Sequence, residues 1–182
     1  PSVAFIDIGT FGMWGEGHTG GTSKLSQEET DKRVKVQIDL YKKHFPDTLL
    51  CISDDVAGSS RPGDSFPATD YAFSKGVTLR DDSILVGKAP KQWFHAGMAQ
   101  KFWPTLPVIL EHEHYGLSKE RNAWDPELLL ESVEQYHASY MSIHWWPDTF
   151  LKENRDVVNR INRRLGYRLE LREAAFPREV RV

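Results

Sequence analysis

Two stretches of the sequence set carboxylates where an apolar segment gives way to a loop. The first runs Val3-Ala-Phe-Ile-Asp-Ile-Gly-Thr-Phe-Gly-Met-Trp-Gly-Glu-Gly-His18 and carries Glu16 in a glycine-rich, aromatic loop, where backbone freedom lets a side chain be aimed at a ligand. The second runs Pro107-Val-Ile-Leu-Glu-His-Glu-His-Tyr-Gly116, an apolar strand that ends abruptly in charge at Glu111. Two carboxyl groups about 5 to 5.5 Å apart can break an acetal with retention, one attacking the anomeric carbon and the other protonating the departing oxygen. Repulsion across so short a gap keeps the proton on the acid while its neighbour stays ionised. Glu113 competes for the second role: alternation sets Glu111 and Glu113 on one face of an extended segment and His112 and His114 on the other. Glu111 is favoured because it ends the apolar run and so lies nearest the rim.

Further polar residues gather at the same kind of place. Asp54 and Asp55 end the second apolar run, and Arg80, Asp81 and Asp82 end the third, all suited to holding hydroxyl groups through charge-assisted hydrogen bonds. His18 and His144 are further candidates for ligand contact. Trp14, Trp145 and Trp146 stand beside polar residues in loops, as sugar-stacking rings do, although packing explains most tryptophans. The plain alternative for each charge is a solvated rim residue or half of an ion pair. The single cysteine, Cys51, lies inside Leu49 to Ile52 and reads as a buried, inert thiol.

The elements that must position these groups repeat five times: a short β-branched run, a polar stretch, then a helix. Strands are expected at Val3 to Ile8, Thr48 to Ser53, Val77 to Arg80, Pro107 to Glu111 and Tyr140 to His144. The first helix opens on a capping box at Ser26 and Glu29 and continues through Val34, Ile38, Tyr41 and Phe45. Further helices are expected near Phe66 to Lys75 and Pro90 to Trp103, after Asp125-Pro126, and through Val157, Val158, Ile161 and Leu165 up to Gly166. Helix-to-strand joints are short, at Pro46-Asp47, Gly76, Ser139 and Gly166, whereas the strand-to-helix loops Gly9 to Leu25 and Asp54 to Ser65 are long. In parallel α/β architectures ligands bind at the C-terminal strand ends, so the long loops mark the working face. After Gly166 the pattern alternates like strands, which reads as residues 167–182 opening a β-rich domain beyond a unit of residues 1–166.

The order of segments resembles strands four to eight of the (β/α)₈ barrel of the β-galactosidase-like retaining glycoside hydrolases. The phrases Ile6-Asp-Ile-Gly-Thr-Phe-Gly-Met-Trp-Gly-Glu16 and Leu165-Gly-Tyr-Arg-Leu169 look like those of uncharacterised bacterial glycosidase-type proteins in which a barrel precedes a β-sandwich. The resemblance implies Glu16 as acid/base after strand four, Glu111 as nucleophile at strand seven, an aromatic platform at Trp145 and Trp146 under the sugar, and no cofactor or metal. It implies a carbohydrate substrate, dependence on barrel strands one to three and on the β-sandwich, and a secreted or periplasmic location. Gly15 stands where the large retaining clan usually carries Asn, so another residue meets the sugar 2-hydroxyl or Glu16 is not the acid.

A complete barrel needs about 250 residues, and 182 are present, so the expectation is a C-terminal piece. Lys and Arg number 23 against 26 Asp and Glu, for a net charge of -3, without the basic stripe that a nucleic-acid partner requires; no membrane-spanning run is present either. Three other readings stay open. Gly15-Glu-Gly-His-Thr-Gly20 spells G-x-G-x-x-G, the mark of a doubly wound nucleotide or flavin domain, but it follows its strand too late and opens no helix. Glu111-His-Glu-His114 with His18 offers enough ligands for a metal-dependent hydrolase. A barrel that binds carbohydrate without cleaving it fits the missing Asn.

Overall fold

A computed structural model describes residues 3–18, 24–57, 66–85 and 96–166, together with 173 and 175. The β-rich segment expected over 167–182, apart from 173 and 175, and the third glycine of the Gly15 motif, Gly20, therefore lie outside the described residues.

Alternation of apolar and β-branched residues yields five strands, all parallel: β1 (Ile6–Asp7), β2 (Leu50–Ser53), β3 (Thr78–Ile84), β4 (Val108–His112) and β5 (Ala138–Ser142). Their order in the sheet is their order in the chain. The helices between them are α1 (Gln27–His44), α2 (Pro67–Ser74), α3 (Ala96–Phe102), α4 (Tyr115–Glu120), α5 (Pro126–Gln135), α6 (Pro147–Glu153) and α7 (Arg155–Asn162). The sequence marks α1 and α5 well. Ser26 caps α1 by accepting from the Glu29 N–H at 3.2 Å, and Asp125 caps α5 by accepting from the N–H groups of Glu127 and Leu128, with Pro126 at the first helical position.

Several expectations change: β3 continues to Ile84, so Arg80, Asp81 and Asp82 lie within it and do not end it, and β5 spans Ala138–Ser142 where Tyr140 to His144 was expected. The strand from Val3 pairs only at Ile6 and Asp7. The last helix is two, because Asn154 breaks it: its amide donates to the Phe150 carbonyl and accepts from the Trp124 indole at 3.0 Å. The short joint placed at Ser139 falls instead at Tyr136-His137, with His137 in the left-handed region at φ 48°, and Ser139 belongs to β5.

Leu50, Ile52 and Val77 pack outward under α1 and α2, and Leu79, Val108, Leu110 and Ala138 pack under α3, α5 and α7, so one face of the sheet carries the core. The other face is concave. Phe5, next to β1, and Tyr140, on β5, meet edge to face with ring centroids 5.7 Å apart. Five strands laid flat would hold those edges about 19 Å apart, beyond the reach of two rings, so the sheet curls toward this face. Among the described residues no helix is long and apolar enough to cross a membrane.

Candidate functional site

The inward parity of the strands collects polar side chains on the concave face: Asp7 and Cys51 are register partners, as are Ser53 and Arg80, and Glu111 and Ser142. At their C-terminal ends these groups form one network around Glu111. Arg80 Nη2 donates to Glu111 Oε1 at 3.2 Å, the Ser142 hydroxyl donates to Oε2 at 2.7 Å, and His144 Nδ1 stands 3.3 Å from Oε1. Arg80 Nη1 reaches Asp7 Oδ2 at 3.0 Å and Asp82 Oδ2 at 2.8 Å. Arg80 thus holds carboxylates from three strands through its two terminal nitrogens.

Glu16 arrives on a folded loop. Its backbone N–H donates to the Met13 carbonyl at 3.1 Å, Gly17 N–H to Phe11 O at 2.8 Å, and Met13 N–H to His18 O at 2.8 Å, closing residues 11 to 18 on themselves. Gly15 and Gly17 take φ of 84° and 91°, and a Cβ on either would meet Gly9 O at 2.3 Å or Val56 Cγ1 at 2.2 Å. The glycines therefore serve close packing of this loop on β1 and on the turn after β2. In that loop Glu16 Oε2 lies 3.5 Å from His18 Nε2, which is 3.7 Å from Asp55 Oδ2. Asp82 completes the connection: burial, followed by the charges of Asp55 and Glu16 against the opposing pull of Arg80, pushes its pKa up to about 7. The charge of Glu16 thus acts on Asp82, and Asp82 shares the Arg80 guanidinium with Glu111.

The remaining predicted residues divide. Asp54 is buried, and its carboxylate accepts from the Asp82 N–H at 3.3 Å; burial and the neighbouring aspartates raise its pKa well above the usual range. Asp81 points to the helix layer, where the Tyr136 hydroxyl donates to it. The expected alternation after Glu111 holds for one residue only. His112 turns outward and stacks on Phe150 at 4.8 Å, but Glu113 lies beyond the strand and is paired with Arg121 at 2.9 Å. His114 returns to the site side, with its ring 4.4 Å from that of His144 and stacked on Trp145 at 4.2 Å. Glu111, not Glu113, lies on the concave face, and the Glu111 to His114 run does not gather as a metal set.

Trp14, Trp145 and Trp146 are all exposed, at 79%, 55% and 53%, and all adopt left-handed backbone, with φ of 53°, 56° and 57°. Such conformations cost about 1 to 3 kcal/mol each in a non-glycine residue and gather where geometry matters to function. Neither Trp145 nor Trp146 plugs the sheet; the Trp146 ring lies over Gly116.

Asp7 and Ser142 were not expected at the site, and His114 was expected there only as a metal ligand. The signal for Asp7 was present, since a lone carboxylate interrupts the apolar run Val3 to Ile8. Among the described residues two sets of side chains have the spacing of cation ligands: Glu16, His18 and Asp55, and Asp54, Asp55 and Asp82, with ligand atoms within 4.8 Å of one another in each.

No protein-family model, no curated protein and no solved structure matches the chain.

Proposed function

We propose that the chain is the C-terminal part of a (β/α)₈-barrel glycoside hydrolase that cleaves with retention, with Glu111 as nucleophile and Glu16 as acid/base. The observation that carries this reading is the convergence of Arg80, Ser142 and His144 on Glu111 at one end of a curled parallel sheet, with Glu16 acting on Asp82, which pairs with the same Arg80. In the reaction Glu111 attacks the anomeric carbon while Glu16 gives its proton to the departing oxygen. Glu16 then takes a proton from water, and that water displaces Glu111. Arg80 and Ser142 orient the attacking oxygens, and the exposed rings of Trp14, Trp145 and Trp146 offer stacking surfaces for sugar faces.

The barrel component is supported by strand order and curvature. A doubly wound domain reverses its strand order at the binding crevice, whereas here five parallel strands follow in sequence and curl. The outer edges of β1 and β5 are where the remaining barrel strands would pair. Gly15 and Gly17, the basis of the nucleotide reading, are taken up by contacts with Gly9 and Val56.

The test uses the full-length protein on a panel of aryl glycosides. Glu111→Gln and Glu16→Gln should each lower kcat by roughly 10²- to 10⁴-fold, and a 2-fluoro glycoside should label Glu111. Hydrolysis that survives both substitutions, or no hydrolysis of any glycoside, overturns the proposal. A metal-dependent hydrolase is the second reading, favoured by the two ligand sets that share Asp55. It predicts that a chelator abolishes activity and a divalent cation restores it.

A further inference from the structure

Arg80 serves three carboxylates from three strands: Asp7 on β1, Asp82 at the bend of β3, and Glu111 on β4. A guanidinium is planar, so the partners of Nη1 determine where Nη2 points. Asp82 alone, only two residues away on the same strand, holds Nη1 from one side. Asp7 reaches it from the opposite side, across β2. The side chain is held there at a cost. Its Oδ1 is buried without a hydrogen-bond partner, and burial raises its pKa despite Arg80 and the Cys51 thiol beside it. The Asp7 side chain as a whole is 35% exposed, and an ion pair so open to water is weak support for stability.

We propose that Asp7 is a positioning residue for Glu111, acting through the Arg80 guanidinium to aim Nη2 at the Glu111 carboxylate. The kinetic consequence rests on the reading of Glu111 as nucleophile; the coupling of the three side chains does not. The charged and titratable groups that face Asp7 are Arg80 from β3, Cys51 from β2 and Glu111 from β4. As pH falls through the titration of Asp7, its hold on Nη1 weakens and the aim of Nη2 relaxes.

Two measurements on the full-length protein test this. Carboxyl-carbon NMR of the wild type, with Glu111 assigned by the signal lost in Glu111→Gln, should show two inflections for Glu111, the second at the midpoint of Asp7. In a crystal structure of Asp7→Asn the Arg80 Nη2 contact to Glu111 Oε1, 3.2 Å in the native protein, should lengthen beyond hydrogen-bonding range. On an active substrate Asp7→Asn should lower kcat about 10- to 100-fold with little change in KM and remove the upper inflection of the acid limb, while Asp7→Glu restores part of the rate.

A single inflection for Glu111 overturns the proposal even if Asp7→Asn fails to fold. So does an unmoved Arg80 in Asp7→Asn, or an unchanged kcat and pH profile in an active enzyme. Two inflections and a displaced Arg80, in a protein that cleaves no glycoside, sustain the coupling and sink the hydrolase reading.

Discussion

The hydroxyl of Tyr136, at the end of α5, donates to the carboxylate of Asp81 in the middle of β3. Both residues are buried at 0% exposure, and the bond ties the helix layer to the one strand that supplies Arg80 and Asp82. Anchoring Asp81 outward fixes its two neighbours toward the concave face. Tyr136→Phe removes a donor from a buried acid and should cost about 1 to 3 kcal/mol, read from the urea midpoint. Adding Asp81→Leu should recover part of that loss. A double variant no better than Tyr136→Phe would show that the bond does not hold β3.

Gly17 is the tightest point of the loop that presents Glu16. Gly17→Ala would drive a methyl group into Val56 Cγ1, 2.2 Å away, on backbone at φ 91°. The expected destabilisation is about 1 to 3 kcal/mol, with activity falling further than stability because Glu16 moves. Gly17→Ala with Val56→Ala should regain stability in part. If the pair is simply additive, the contact with Val56 does not set the loop.

Asp82 should give the protein a stability that falls as pH rises. Its folded pKa of about 7 stands above the ordinary 3.8, so the folded state binds the proton more tightly. Stability is therefore greatest below the unfolded value and declines through the interval from about 4 to 7, by a few kcal/mol at most. Asp82→Asn should flatten this slope and be relatively more stable at pH 8 than at pH 5. Equal pH slopes for variant and wild type in urea melts would refute the assignment.

His112 should act in the opposite sense. Its ring is buried between Phe150 and Trp124, burial lowers its pKa below 6.5, and Nε2 has no partner to receive a second proton. The folded state therefore disfavours the charged ring, and this contribution to stability is lost as pH falls below 6.5. His112→Leu should lose less stability between pH 6.5 and pH 5 than the wild type does. A parallel loss in both proteins would count against it.

Strand and helix periodicity made most of this fold legible. Ser26 with Glu29 and Asp125 with Pro126 fix helix starts through local backbone bonds, which is why α1 and α5 begin where the sequence places them. What escaped depended on contacts distant in the chain. Asn154 ends α6 only because Trp124 donates to it, and Glu113 leaves the site because Arg121 lies under it. The gathering of Glu16, Asp55 and Asp82 was anticipated as a set of strand ends. Their mutual distances were not, since they depend on a curl that no local pattern encodes. Asp7 was overlooked because a single charge in an apolar run reads as an interruption until its partner on β3 is seen.

The extra residue in β5 has an effect out of proportion to its size. Val108 faces Ala138, but Ile109 faces Tyr140, so Ser139 is skipped in the pairing. That single offset inverts the parity of everything after it: Met141 and Ile143 turn to the oily side, Ser142 and His144 to the wet one. Regular pairing onward from Ala138, with Ser139 opposite Ile109, would instead set Met141 opposite Glu111.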